Sequence, residues 1–185
     1  MTPRIIYTIG HSTHSLEEFL QMLQSFHIQM LADIRSLPGS RKYPQFNQDN
    51  LAVALPEHGI MYTYLSDLGG RRRMKKDSKN TRWHNHSFRG YADYMDSEAF
   101  EKAIQHLEEI ATQQTTAVMC AEAVWWRCHR SMLSDALKVR GWTVRHIMKV
   151  GKADEHRYTA PAIIVDGNVS YANTDTDQTE SKTEM

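Results

Sequence analysis

Apolar positions fall along the chain in short compact runs separated by longer, spaced stripes. Residues 4–9, Arg-Ile-Ile-Tyr-Thr-Ile, make a short β-branched run of the kind that forms a buried strand. Behind it, Ser15 and Glu18 form a capping box, and Leu16, Phe19, Leu20, Leu23 and Phe26 recur at helical spacing. A second run, 29–34, leads into Asp33, Ile34 and Arg35. Strand, helix and strand within about 30 residues is a βαβ unit, which demands a parallel pair and a right-handed crossover.

A polar, Pro-punctuated loop over 36–50 follows, then a short helix near 49–55 and a third strand at 61–65. From Asp67 to Asp96 the periodicity lapses into Gly, Arg, Lys, His and Asn, which predicts a long functional or mobile loop. Regularity returns in a helix over 97–112 whose buried stripe is Phe100, Ala103, Ile104, Leu107, Ile110 and Ala111. A strand at 115–120, a helix over 129–140 closed by Gly141 and a strand at 142–148 complete the pattern. Ala162–Val165 predicts an added edge strand, with Asp166-Gly167 as its turn. Residues 173–185 carry no apolar side chain before the terminal Met185 and predict a disordered polar tail behind a single domain, 1–172. The fold class expected is α/β, a three-layer Rossmann-like sandwich with a mostly parallel central sheet and a long basic loop insertion. A dinucleotide-binding version is excluded because no G-x-G-x-x-G follows the first strand, and no Walker loop, H-E-x-x-H or G-x-S-x-G occurs.

Composition narrows the partners. Lys plus Arg and Asp plus Glu both number 22, so attraction to a polyanion has to come from a local patch. No apolar run approaches the roughly 20 residues of a membrane helix, and the first residues lack a secretory pattern. With two cysteines, Cys120 and Cys128, too close together to brace a chain of 185 residues, a reduced cytoplasmic setting without membrane contact is expected.

In open parallel sheets, ligands bind beyond the carboxyl ends of the strands. The first strand delivers Gly10, His11 and Ser12 there, the second Asp33, Arg35 and Ser36, the fourth Cys120, Ala121 and Glu122. Cys128-His129-Arg130-Ser131 then opens a helix, whose free N–H groups and partial positive charge favour anions and depress a nearby thiol's pKa. The plain alternative makes Cys120 a packed core cysteine and Arg130 a salt-bridge partner. Cysteine phosphatase chemistry is rejected: Arg127 lies one residue too far from Cys120, the intervening segment has no glycine, and Glu122 would repel the anion. Ten histidines raise the question of metal, yet the spacings (His11 and His14, His84 and His86, no C-x-x-C) specify no site. No cofactor is expected, and a metal held by Cys120, Cys128 and histidines is the weaker alternative. In the stretch from Gly69 to Arg82, Arg71, Arg72, Arg73, Lys75, Lys76, Lys79 and Arg82 face one acid, Asp77, beside Trp83, Phe88 and Tyr91. Basic and aromatic side chains interleaved in this way suit phosphate contact with base stacking; a solvated loop is the alternative.

Several motifs in fixed order resemble the bacterial family called domain of unknown function 488. They are Tyr7-Thr8-Ile9-Gly10-His11-Ser12; Asp33-Ile34-Arg35-Ser36 with Pro38, Ser40, Pro44 and Phe46; His58-Gly59-Ile60 with Tyr62; Leu68-Gly69-Gly70-Arg71; Phe88-Arg89-Gly90-Tyr91-Ala92 with Tyr94 and Met95; Met119-Cys120-Ala121-Glu122; and Cys128-His129-Arg130. The resemblance implies this fold and this site and supplies no reaction. Ala123–Arg127, with Trp125 and Trp126, departs from the family's Pro-containing polar turn, so a different ligand preference is expected. The function expected is an enzyme acting on a phosphorylated small molecule or nucleotide-like ligand, with N-glycosidic hydrolysis as one form and nucleic acid as one carrier. Glu122, Asp33, His11 and His129 are the expected acid–base groups. Ser12, Arg35, Ser36, Arg71, Cys128, Arg130 and Tyr91 are the expected ligand contacts, with Glu122 and Arg130 forming one unit. A non-catalytic nucleic-acid-binding or regulatory module and a Cys/His metal enzyme are the alternatives.

Overall fold

A computed structural model of the chain describes residues 2–174. Five parallel strands, β1 (Ile5–Gly10), β2 (Met30–Asp33), β3 (Met61–Tyr64), β4 (Thr116–Cys120) and β5 (Thr143–Lys149), and one antiparallel edge strand, β6 (Lys152–Glu155), form a sheet in the order β3-β2-β4-β1-β5-β6. A separate hairpin pairs β7 (Ile163–Val165) with β8 (Asn168–Ser170). The helices are α1 (Leu16–Gln24), α2 (Gln48–Glu57), α3 (His86–Met95), α4 (Glu98–Gln113) and α5 (Arg130–Val139).

Side chains alternate across each strand, so the sheet carries a core on either face. In β4, Ala117 and Met119 join Phe19 and Leu23 of α1 and Leu51 and Leu55 of α2. Val118 and Cys120 join Phe100, Ile104 and Leu107 of α4 and Met132, Leu133 and Leu137 of α5. The result is the three-layer α/β sandwich expected from the alternating pattern. Ser15 caps α1 by accepting from the Glu18 N–H, as its position predicts. Each fully buried leucine on these faces contributes about 1.5–3 kcal/mol, so Leu23→Ala on α1 alone costs roughly 2–5 kcal/mol.

The structure corrects the expected course at two places. The stretch from Asp67 to Asp96 is not one loop, because its last third is the helix α3, capped by the Asn85 side chain accepting from the Ser87 and Phe88 N–H groups. The stretch expected as an edge strand pairs instead within the β7–β8 hairpin, turning through Asp166 (φ 50°) and Gly167 (φ 76°). The sheet edge is β6, whose Lys-Ala-Asp-Glu sequence has no apolar alternation to announce it. The polar tail expected from residue 173 lies, but for its first two residues, outside the described part. Among the described residues no helix is long and apolar enough to cross a membrane.

The topology decides where a ligand fits. From β1 and β2 the chain passes through α1 and α2 on one face, whereas from β4 it passes through α5 on the other. β4 lies between β1 and β2, so loops leaving in opposite directions part at their carboxyl ends and open a crevice there.

Candidate functional site at the strand ends

Past the last β1–β4 pair, the two exit loops stay zipped: the His11 N–H donates to the Cys120 carbonyl (3.0 Å) and the Ser12 N–H to Ala121 (2.9 Å). Gly10 is required by the closeness of the crossing. A Cβ there would lie 1.8 Å from the Glu122 carbonyl oxygen and 3.0 Å from Arg130 Nη2.

Asp33 ends β2 completely buried, and both of its oxygens are occupied. Oδ1 accepts from the Arg35 N–H and Nε, and Oδ2 accepts from Arg35 Nη2 (2.7 Å) and the Tyr62 hydroxyl (2.6 Å). Arg35 also donates from Nη2 to the Phe46 carbonyl. Its remaining group, Nη1, reaches His11 Nε2 at 3.4 Å. Burial favours the neutral guanidine, but the Asp33 carboxylate outweighs it and raises the pKa of Arg35. Tyr62 is pushed up by burial and by the same carboxylate. His11 lies stacked on Phe46 (4.5 Å) with Nδ1 donating to the Ser12 carbonyl (3.0 Å). Burial is the main cause that lowers its pKa, so its ring is neutral near pH 7 with Nε2 unprotonated.

The second half of the site is built around Arg130, the first residue of α5, which is 1 % exposed. Its guanidinium does not meet the Glu122 carboxylate expected as its partner. Nη2 donates to the carbonyl oxygens of Glu122 (2.6 Å) and Ala123 (3.5 Å), Nη1 donates to Thr8 Oγ1 (3.3 Å), and Nε has no partner among the described residues. Beneath it lie the two thiols, with Cys120 Sγ and Cys128 Sγ 2.8 Å apart. The Arg130 N–H (3.4 Å) and His129 Nδ1 (3.5 Å) point at Cys128 Sγ. Burial alone raises a thiol's pKa. For Cys128, hydrogen bonds from Cys120 and His129 and the charges of His129 and Arg130 outweigh burial and bring it well below the ordinary range. Burial and the neighbouring Cys128 push Cys120 well above that range.

Behind Arg130 runs a chain of buried polar groups that the sequence did not announce. Thr8 Oγ1 is hydrogen-bonded to His146 Nδ1 (2.7 Å), His146 Nε2 to His156 Nδ1 (2.9 Å), and His156 Nε2 to the Asp135 carboxylate at Oδ1 (2.8 Å). Burial first, then the charges of His156 and Arg130, bring the pKa of His146 down to about 2. Asp135 Oδ2 also accepts from Thr159 and Tyr171. Trp125 covers the chain, stacked on His146 at 4.3 Å.

The crevice itself has two adjoining lobes, of about 490 and 540 Å³, which share Arg35, Leu37, Arg71, Ala121 and Glu122. His11 and Ser12 line the first; Ser36, Cys120, Arg127, Cys128 and His129 line the second. Asp33, Arg130 and Tyr91 lie behind the wall. Tyr91 is buried, donates to the Leu68 carbonyl and meets the His129 ring edge-on (5.1 Å). A larger cavity of about 1190 Å³ opens elsewhere, between Trp83, Trp125, Trp126 and residues 153–161, and touches the polar chain at His156. The strand-end crevice is the better candidate because the groups expected to carry chemistry converge there.

The basic stretch is pinned to the body of the domain. The Asp93 carboxylate accepts from the Lys75 N–H, Ser78 Oγ and Asn80 Nδ2. Arg72 is spent on the Gly69, Ser66 and Asp67 carbonyls and lies over the Tyr94 ring at 3.6 Å. Gly70 fits under His129, where a Cβ would stand 2.5 Å from Nδ1. Arg71, Arg73, Lys75, Lys76 and Lys79 remain exposed. Among the described residues, no group of three or more His, Cys, Asp or Glu side chains assembles in a way that would hold a metal ion.

Residues 15–137 match the family described as domain of unknown function DUF488. The chain belongs to this family. Its match covers β2, β3, β4 and most of α5, and hence the Asp33–Arg35 clamp and the Cys120–Cys128 pair. No curated protein and no solved structure matches the chain.

Proposed function

We propose that this DUF488 protein is an enzyme that binds a phosphorylated, nucleotide-like ligand in the strand-end crevice and hydrolyses it. The observation that carries the reading is the charge on the crevice wall. Arg71 and Arg127 are exposed there with no acid paired to either side chain among the described residues, and Glu122 is the one carboxylate on the lining. Arg71 and Arg127 would grip the phosphate, with Arg35 fixed between the lobes by Asp33. Glu122, shared by both lobes, would activate water, and neutral His11 would take up a proton from its side of the crevice. N-glycosidic cleavage fits, since it requires a carboxylate and a water and no cofactor. Asp33, with its oxygens occupied, serves as the clamp on Arg35 rather than as a base.

Calorimetric titration with inorganic phosphate and nucleoside monophosphates tests the reading. Saturable binding is expected, weakened at least about ten-fold by Arg71→Ala with Arg127→Ala, since each charge-assisted contact contributes roughly 1.5–3 kcal/mol. Glu122→Gln should bind normally and show no turnover. The absence of binding, or binding unchanged in the double variant, contradicts the proposal. A second reading, a nucleic-acid-binding module, is favoured by the exposed Arg73, Lys75, Lys76 and Lys79 on a pinned loop. It requires salt-sensitive nucleic-acid binding that survives the Arg71/Arg127 changes and falls when these four are neutralised.

A further inference from the structure

Two thiols side by side at the floor of a crevice are more than packing. We propose that Cys128 and Cys120 form a redox-active pair in which Cys128 attacks a small hydroperoxide and Cys120 closes the intermediate to an intrachain disulfide.

Three independent features of the site carry this. The first is proximity: the sulfurs lie 2.8 Å apart although they belong to different elements, the end of β4 and the residues before α5. The second is the counter-charge. Arg130 is fully buried, yet its guanidinium donates to two carbonyls and a hydroxyl and to no carboxylate among the described residues. A buried cation left unpaired costs several kcal/mol. Cys128 is an acid beside it, whose sulfur accepts from the Arg130 backbone N–H and faces His129 Nδ1. The groups around it are Cys120, His129, Arg130 and, behind His129, the Tyr91 hydroxyl. None of these is a carboxylate, and the one carboxylate on the lobe's lining, Glu122, shares it with Arg35, Arg71 and Arg127. The third is access: both cysteines line the 540 Å³ lobe but are only 7 % (Cys128) and 3 % (Cys120) exposed, a setting for a small oxidant and not for a folded protein's disulfide.

The chemistry balances with a hydroperoxide as oxidant. The Cys128 thiolate attacks the terminal oxygen; an S–O bond forms, the O–O bond breaks, and the departing alkoxide, or hydroxide, takes a proton from solvent. Cys128 is then a sulfenic acid. The Cys120 sulfur attacks it, the S–S bond forms, and the expelled hydroxide leaves as water with the Cys120 proton. Two electrons pass from the sulfurs to the peroxide. A small thiol reductant reverses the step by exchange. The immediate consequence is local: closure removes the negative charge beside Arg130 and ties the Ala121–Arg127 turn to the start of α5. The pair stands apart from the ligand reading, since phosphate binding can fail without touching it.

Intact-mass measurement on the full chain, treated with stoichiometric hydrogen peroxide near neutral pH, tests the proposal. The wild type should lose about 2 Da, the mass of two hydrogens, and lose both alkylatable thiols, with full recovery on reduction. Cys120→Ser should stop at a sulfenic acid on Cys128 that a dimedone-type reagent traps, and Cys120→Ala serves the same purpose if the serine variant does not fold. Cys128→Ser should leave Cys120 at least about ten-fold less reactive, because a buried thiol without the helix start stays protonated. Oxidation of the wild type straight to sulfinic or sulfonic acid without a disulfide overturns the proposal. So does a Cys128→Ser protein that reacts as fast as the wild type.

Discussion

Two buried arginines stand at the crevice, Arg35 on its lining at 5 % and Arg130 behind its wall at 1 % exposure, and they are held by different partners. Arg35 has a carboxylate of its own: Asp33 engages it through Nε and Nη2 and is in turn held by Tyr62. The Arg130 guanidinium has carbonyls and a threonine, and its backbone N–H points at the Cys128 thiol. Where the counter-charge is a carboxylate with both oxygens occupied, the arginine is a fixed fitting that presents one edge to the lobe. If, as proposed, the counter-charge at Arg130 is the Cys128 sulfur, neutralisation itself creates a reactive group. On that proposal the same residue type builds scaffold on one side of β4 and chemistry on the other.

The contrast breaks first at Asp33. Asp33→Ala strands Arg35 in the interior and should cost about 3–5 kcal/mol in urea unfolding; a loss under about 1 kcal/mol would mean that Arg35 is solvated after all. Next is Gly10→Ala, whose methyl would collide with the Glu122 carbonyl that holds Arg130. The expected cost is about 1–3 kcal/mol, together with higher Cys128 reactivity toward alkylation as the turn opens. A normal stability for this variant would show that the β1 and β4 exits are free to part.

The thiols make a third forecast, in the pH dependence of stability. Cys128 is held below its ordinary pKa, so its contribution is complete above about 8.5, the unfolded value, and is lost as pH falls toward the folded one. Cys120 is held above it, so its contribution is present below about 8.5 and is lost as pH rises past that value. Stability should therefore rise toward pH 8 and decline beyond 9. Cys128→Ser should flatten the rising limb by one proton, about 1.4 kcal/mol per pH unit. The smallest effect belongs to Tyr62→Phe, which removes one donor from Asp33 and should cost about 1 kcal/mol while leaving the crevice's ligand affinity unchanged.

What could be read in the sequence was whatever has a period or a chain order. The stripe of α1, the Ser15 cap and the apolar runs of β1, β2 and β4 give the βαβ plan, and the plan alone brings His11, Arg35, Glu122 and Cys128 to one edge. Helix α3 was hidden because Gly90 and a polar first turn mask its stripe, although Asn85 followed by Phe88, Tyr91, Ala92 and Met95 carries the capping and spacing signal. Strand β6 was hidden because an edge strand with mostly exposed side chains needs no alternation. Roles within the site were beyond sequence reasoning. That Asp33 turns inward to Arg35, and that Arg130 takes the carbonyl of Glu122 and not its carboxylate, depends on where backbones cross. The chain from Thr8 through His146 and His156 to Asp135 joins β1, β5, the segment after β6 and α5, whose order in sequence says nothing of their adjacency.

The central claim is that Cys128 carries the negative charge that balances Arg130. The ultraviolet absorbance of thiolate reads this directly and needs no reagent to reach the buried sulfur. Titrated downward from pH 9, the difference between wild type and Cys128→Ser should retain the absorbance of one thiolate through neutrality and lose it only well below the ordinary value of about 8.5. A step at or above about 8.5 would leave Arg130 without its counter-ion and contradict the account.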